Sequence, residues 1–277
     1  MDELLDSSFS QKLQTLAQEN AAAYRSNQPF PFIVFDDFLP LAAAEAALRD
    51  FPEPAEIRWK EFDAYREKKL AFDVVEKLPP GDRDLLYFLN SRPMLQFLET
   101  LTGIQGVIPD PYFEGGGLHQ IVPGGKLSVH ADFNLHPRLN LDRRINVLIY
   151  LNKDWKEEYG GHFELWDRQM TRAEQKILPV FNRCAIFSTT SWSYHGHPTP
   201  LSCPPDRTRK SVATYYYTNG RPEDEFQEAH STLFQTLPGE VVPPEPHIAA
   251  DPWTMRKLAW AVTPPILHEM YKKMKRK

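Results

Sequence analysis

In the stretch GGKLSVHADFNLHP, His130 and Asp132 form a His-x-Asp pair, and SYHGHP supplies a second histidine at His195. Two histidines and one carboxylate converging on a single ion make the facial set of ligands that catalytic ferrous iron uses, with the opposite face of the octahedron left open for the molecules that react there. On a strand, residues i and i+2 share a face, so His130 and Asp132 project together while Ala131 points away. The third ligand must come from another strand folded over the first, and the chain between His130 and His195 is ample for that return. SYHGHP also contains His197, which shares a face with His195 on any regular strand, so both are candidates for the distal ligand. His119, His136 and His162 are further candidates for metal or substrate contact, each with simple hydrogen bonding as the plainer explanation.

Positioning such ligands needs strands, and the chain after Gly103 is written in them. Short apolar runs separated by glycine and proline follow one another: GLHQIVPGG, KLSVHADF, RINVLIYLN, GGHFELWD, CAIFSTT and RKSVATYYYT. That texture predicts a sandwich or barrel-like β architecture. The preceding chain is different. A helical pattern over 8–24, a strand in PFIVFDDFL, an alanine-rich helix from Pro40, and leucine-rich and aromatic helical stripes on either side of Arg92-Pro93 predict an α+β entry to the fold. The stripes are read as core packing rather than as a binding surface. Gly160-Gly161 is read as a turn without direct chemistry. LPGEVVPPEP reads as a linker.

Composition narrows the function. With 277 residues, 42% hydrophobic and 12% aromatic, the chain can bury one large core. A net charge of −5 excludes the basic excess of a general nucleic-acid binder. Only Cys184 and Cys203 are present, which excludes a disulfide framework or a cysteine-rich zinc site and suits a reducing compartment that keeps iron ferrous. The acidic start MDELLDSSFSQKLQ lacks the apolar region of a signal peptide, and no run reaches the length of a membrane span, so a cytoplasmic protein is expected. The basic finish at Lys272, Lys273, Lys275, Arg276 and Lys277 reads as a solvated helix end or as peripheral contact with an acidic membrane surface or partner.

A second functional group lies in RKSVATYYYT. Alternation puts Arg209, Ser211, Ala213, Tyr215 and Tyr217 on one face, and a guanidinium there can hold a carboxylate through two parallel hydrogen bonds. The distal carboxylate of 2-oxoglutarate would suit it. The plainer reading is an ion pair with Asp206. Of the rivals, Lys210 has the wrong parity and Arg207 precedes the strand.

The run from Gly115 to Thr218 resembles the prolyl 4-hydroxylase-like branch of the Fe(II)/2-oxoglutarate-dependent dioxygenases, most closely in RRINVLIYLNKDWKEEYGGHFELWD with its YLNKDW and Gly-Gly-x-x-x-Leu elements. The resemblance implies a mainly β core, a double-stranded β-helix or jelly roll, flanked by N-terminal and C-terminal helices. It divides the chain into a strand and helical scaffold over 1–110, the core over 111–220 and a helical extension with the basic tail over 221–277. It implies that His130, Asp132 and His195 hold Fe(II), and spacing from the Phe187-Ser188 strand favours His195 over His197. Arg209 then anchors the C5 carboxylate of 2-oxoglutarate and Tyr150 reaches the same cosubstrate. Asn146 falls where relatives have a threonine lining that pocket, and Gln120 replaces a tyrosine that helps hold 2-oxoglutarate.

The activity so implied consumes 2-oxoglutarate and dioxygen, releases succinate and carbon dioxide, and hydroxylates an unactivated C–H bond, with ascorbate as an auxiliary reductant. A carboxylate at Asp132, where halogenating relatives carry a small residue, points to hydroxylation. The substrate would be a peptide, an amino acid such as proline, or a small metabolite. Arg138, Arg143 and Arg144 read either as a preference for an acidic substrate or as a solvated loop. Two alternatives share the fold: a cupin-like metal enzyme that uses no 2-oxoglutarate, which would not need Arg209, and a non-catalytic binding module, which would ordinarily have lost a ligand.

Overall fold

The computed structural model describes residues 2–243. Of these, residues 2–240 pack as one unit. The basic C-terminal end and the helix expected there lie outside the described residues.

The chain enters through α1 (Asp2–Leu5) and α2 (Ser7–Ser26), where Asp6 caps α2 by accepting the Ser8 N–H at 2.6 Å. Strand β1 (Phe32–Phe35) and helix α3 (Leu41–Asp50) follow, with Pro40 at the helix entrance. A hairpin of β2 (Lys60–Ala64) and β3 (Glu67–Phe72) precedes α4 (Pro80–Leu89) and α5 (Arg92–Thr102); Gly103 ends α5 with φ of 80°, the left-handed conformation that glycine adopts freely. Strands β4 (Ile108–Pro109), β5 (Gly117–Ile121), β6 (Lys126–Ala131), β7 (Asp142–Tyr150), β8 (Phe163–Trp166), β9 (Ala173–Ile177), β10 (Arg183–Ser188), β11 (His195–His197), β12 (Arg209–Thr218) and β13 (Leu233–Phe234) complete the described chain.

All pairings are antiparallel, and the strands form one curled sheet in the order β1-β10-β7-β12-β5-β3-β6-β11-β8-β9, with β2 on β3, β4 on β12 and β13 on β6. Strand β3 turns the corner, pairing with β5 through Leu70–Phe72 and with β6 through Glu67 and Lys68. The curled sheet with its flanking N-terminal helices fits the sandwich or barrel-like architecture that the strand texture predicts and the jelly roll that the resemblance implies. Period-2 alternation divides β7 between two surroundings. Ile145, Val147 and Ile149 pack with the helices, which contribute Leu13, Phe88, Phe97 and Leu98, while Asn146, Leu148 and Tyr150 face the hollow of the sheet.

The β2–β3 hairpin is absent from the sequence reading. KEFDAYREKKLAF is charged and β2 is exposed along its whole length, so it carries no apolar alternation to read. The scaffold segment also enters the sheet itself, through β1 and β3. No helix of the described residues is long and apolar enough to cross a membrane. Cys184 and Cys203 are both free and buried.

Candidate active site

Strand β6 sends His130 and Asp132 to one side of the sheet, and β11 crosses so that His195 stands opposite His130 in register. Ligand-capable atoms of His130, Asp132 and His195 all lie within 4.8 Å of one another, the arrangement the His-x-Asp spacing requires of a second strand. Each histidine is oriented by its own strand. Nδ1 of His130 lies 2.9 Å from the Ser128 carbonyl and Nδ1 of His195 2.9 Å from the Ser193 carbonyl. A carbonyl can only accept, so Nδ1 of each ring carries a proton and Nε2 is the nitrogen left to meet a metal. Those Nε2 atoms face the carboxylate, 3.4 Å from Oδ1 for His130 and 3.4 Å from Oδ2 for His195.

The charges agree with that picture. Burial pushes His195 down to about 4 despite the pull of Asp132, so the ring is neutral at pH 7. Burial pushes Asp132 upward, but the Arg143 charge and then His195 and His130 outweigh it and hold the carboxyl well below the usual carboxylate range. The two Nε2 atoms and the Asp132 carboxylate thus converge, and this donor set suits ferrous iron. Phe187 and Phe163 pack on the His195 ring at 4.6 and 5.6 Å between centroids, and Phe234 of β13 on His130 at 5.5 Å.

Arg143 was legible only as one of three nearby arginines, yet it is 1% exposed. Its guanidinium lies 3.0 Å from Asp132 Oδ2, donates through Nε to Asn146 Oδ1 at 2.9 Å, and stacks 3.5 Å above the Tyr215 ring. Asn146 lines the cavity with its amide engaged at both ends, since Nδ2 also donates to Asp132 Oδ2 at 2.8 Å. Arg144 is buried too, paired with Glu225 at 2.7 Å, so neither is in a solvated loop. Arg138 is exposed and lies over Tyr112.

Beside the convergent ligands lies Arg209, 5% exposed and without a carboxylate partner among the described residues. Its Nε donates to the Gly161 carbonyl at 2.8 Å. Its guanidinium carbon is 4.9 Å from the centre of the Tyr150 ring, and the buried Tyr150 hydroxyl has no hydrogen-bond partner among the described residues. Burial pushes that hydroxyl up to about 12, which keeps it a neutral donor. The expected alternative, an ion pair with Asp206, does not form. Arg207 reaches outward to the Lys153 carbonyl, and Lys210 pairs with Glu53 at 3.3 Å.

Register explains the remaining candidates. On β5, His119 stands opposite Ser211 and Gln120 opposite Lys210. Ser211 shares the cavity face of Arg209, so His119 lines the cavity while Gln120 points away and donates to Thr208 Oγ1 at 2.8 Å. Gln120 is therefore not brought to the site. His136 is held by Asp110 at 3.1 Å and His162 by Glu157 at 2.6 Å, both outside it. His197 is buried in the cavity but apart from the convergent three.

Gly161 does more than turn the chain. Its φ is +72°, and a Cβ there would meet Leu201 Cδ2 at 2.6 Å and Arg209 Cδ at 3.0 Å. Gly161→Ala is expected to cost about 1–2 kcal/mol of stability from the left-handed backbone alone. If Arg209 anchors 2-oxoglutarate as the resemblance implies, displacing it should also weaken cosubstrate binding severalfold with metal binding intact, which a thermal melt and a cosubstrate titration on the same sample would check.

Residues 116–217 match the family model described as the 2OG-Fe(II) oxygenase superfamily. Among solved structures, the chain is similar to a prolyl hydroxylase from Trichoplax adhaerens in complex with a hypoxia inducible factor oxygen degradation domain peptide, at 17% identity and TM-score 0.56 over 78% of this chain and 96% of that one. It is similar to a Pseudomonas putida prolyl-4-hydroxylase at 15% identity and TM-score 0.53, over 75% and 100%. HygX from Streptomyces hygroscopicus, with nickel, 2-oxoglutarate and hygromycin B bound, matches at 11% identity and TM-score 0.51, over 78% and 96%. Residues 116–217, on a fold shared with the prolyl hydroxylases and with His130, Asp132 and His195 converging within it, thus form a domain of the 2OG-Fe(II) oxygenase superfamily, a 2-oxoglutarate-dependent oxygenase domain that works with Fe(II) and dioxygen.

Proposed function

We propose that this enzyme hydroxylates an unactivated C–H bond of a peptide, amino acid or small metabolite and releases succinate and carbon dioxide, with His130, Asp132 and His195 holding the iron and Arg209 and Tyr150 receiving the distal carboxylate of 2-oxoglutarate. The observation that carries the reading is the buried Arg209, a cation without an acid among the described residues, lining the same cavity as the convergent histidines and carboxylate. An unpaired buried charge is costly, and an anionic cosubstrate is what offsets it. When bound, iron with 2-oxoglutarate and dioxygen supplies the oxidising power. The chain's own part is to orient both imidazoles through Ser128 and Ser193, to keep Asp132 ionised through Arg143, and to pack aromatic side chains around His195 so that bulk water is kept from it. Asp132 fills the position that a halogenating enzyme leaves small, which supports hydroxylation.

Proteins of this fold bind both a peptide, in the Trichoplax complex, and a small molecule, hygromycin B, in HygX. Anaerobic addition of Fe(II) and then 2-oxoglutarate to metal-free protein should produce the visible iron-to-cosubstrate charge-transfer band. Succinate release would then rank a panel of proline-containing peptides, free amino acids and small metabolites. A folded protein without the band would refute the iron and cosubstrate reading.

A further inference from the structure

His197 has no task in the site as described so far. It is 4% exposed, and neither ring nitrogen has a hydrogen-bond partner among the described residues. In any protonation state an imidazole carries at least one N–H, so a donor is buried and unmet, a cost that natural proteins keep where a ligand meets it. The ring is not pointed away from the chemistry. It lines the cavity with Arg209, Tyr150 and His195.

The backbone explains the aim. Between His195 and His197 the pairing with β6 slips, from His130 opposite His195 to Leu127 opposite His197. Gly196 permits the slip, because a Cβ there would meet the carbonyl oxygens of Leu127 and Ser128 at 2.9 and 3.0 Å. The arginine and lysine that share the cavity with the ring are Arg209 and Lys69. Lys69 is matched by Glu67 at 2.8 Å, which leaves Arg209 as the charge awaiting an anion.

We propose that His197 is a cosubstrate-binding residue whose ring N–H donates to the distal carboxylate of 2-oxoglutarate beside Arg209, so that this carboxylate is held by an arginine and a histidine together. The inference rests on the iron and 2-oxoglutarate reading above and adds to it a selectivity for 2-oxo acids that carry a second carboxylate.

The test is an anaerobic titration of the Fe(II) protein, followed by the charge-transfer band, with 2-oxoglutarate and with 2-oxobutyrate, which lacks the distal carboxylate. His197→Val should raise the 2-oxoglutarate midpoint about tenfold, the loss of one hydrogen bond to a charged group. It should leave the 2-oxobutyrate midpoint and the iron content unchanged. His197→Gln, which keeps an N–H donor, should recover most of the affinity. The metal-free His197→Val protein should melt no lower than wild type, because an unmet polar group has been exchanged for an apolar one. A structural role would lower the melting temperature instead. A wild-type band whose midpoint His197→Val leaves unmoved, or moves equally for both acids, overturns this proposal alone. Absence of the wild-type band overturns the underlying reading and this proposal with it.

Discussion

Asp132→Ala is expected to abolish the iron-to-cosubstrate band and all turnover, and at the same time to destabilise the metal-free protein. The first effect follows from removing one of the three proposed ligands, which among the described residues are the group that converges closely enough to hold an ion. The second comes from Arg143. Its side chain is 1% exposed and its guanidinium lies 3.0 Å from Asp132, so truncating the acid strands a buried cation, a loss of about 3–5 kcal/mol for such pairs. Two effects in one variant need separating. Asp132→Ala combined with Arg143→Met removes the stranded charge and should restore most of the melting temperature while leaving the band absent. Retention of the band in either variant would refute Asp132 as a ligand. A double variant no more stable than the single one would show that Arg143 is satisfied by Asn146 and the Tyr215 ring without its acid.

Arg209→Ala should separate cosubstrate from metal. Two charge-assisted hydrogen bonds to the distal carboxylate at about 1.5 kcal/mol each amount to about a 100-fold rise in the 2-oxoglutarate midpoint. Iron content should hold, because Arg209 touches none of the three proposed ligands through any hydrogen bond or ion pair. Arg209→Lys keeps the charge without the planar fork and should fall between the two. The metal-free protein should lose little stability, since an unpaired buried cation is removed along with its bond to Gly161. An unchanged midpoint would mean that the anchor lies elsewhere, with the outward-facing Arg207 a poor replacement.

What could be read from the chain, and what could not, follows the range of the forces involved. Alternation on a strand is local, set by the pleat, and it correctly groups Arg209 with Ser211 and Tyr215 and Asn146 with Tyr150 on the cavity face. Where the pleat is interrupted the reading fails. Pairing of β12 with β7 slips between Tyr216 and Tyr217, where Ile145 gives way to Arg143, and no parity count from Asn146 leads to an arginine against Asp132. Gln120 shows the same limit from the other side. Its place ten residues before His130 suggested a cosubstrate contact, whereas its face was set by the strand across from it, where Lys210 is its partner.

The sequence by itself determined the strand-rich architecture, the His-x-Asp pair with its returning histidine, and the chemistry such a donor set suits, because residue type and a period of two are enough for those. Tertiary structure brought His195, the histidine of SYHGHP that spacing already favoured, to Asp132, and it alone decided that Arg143 is buried against that acid, that Arg209 has no acid to neutralise it among the described residues, and that Gly161 makes room for it. Each of these depends on which atoms are brought together from distant strands after burial, where an unpaired charge or an unmet donor acquires its cost.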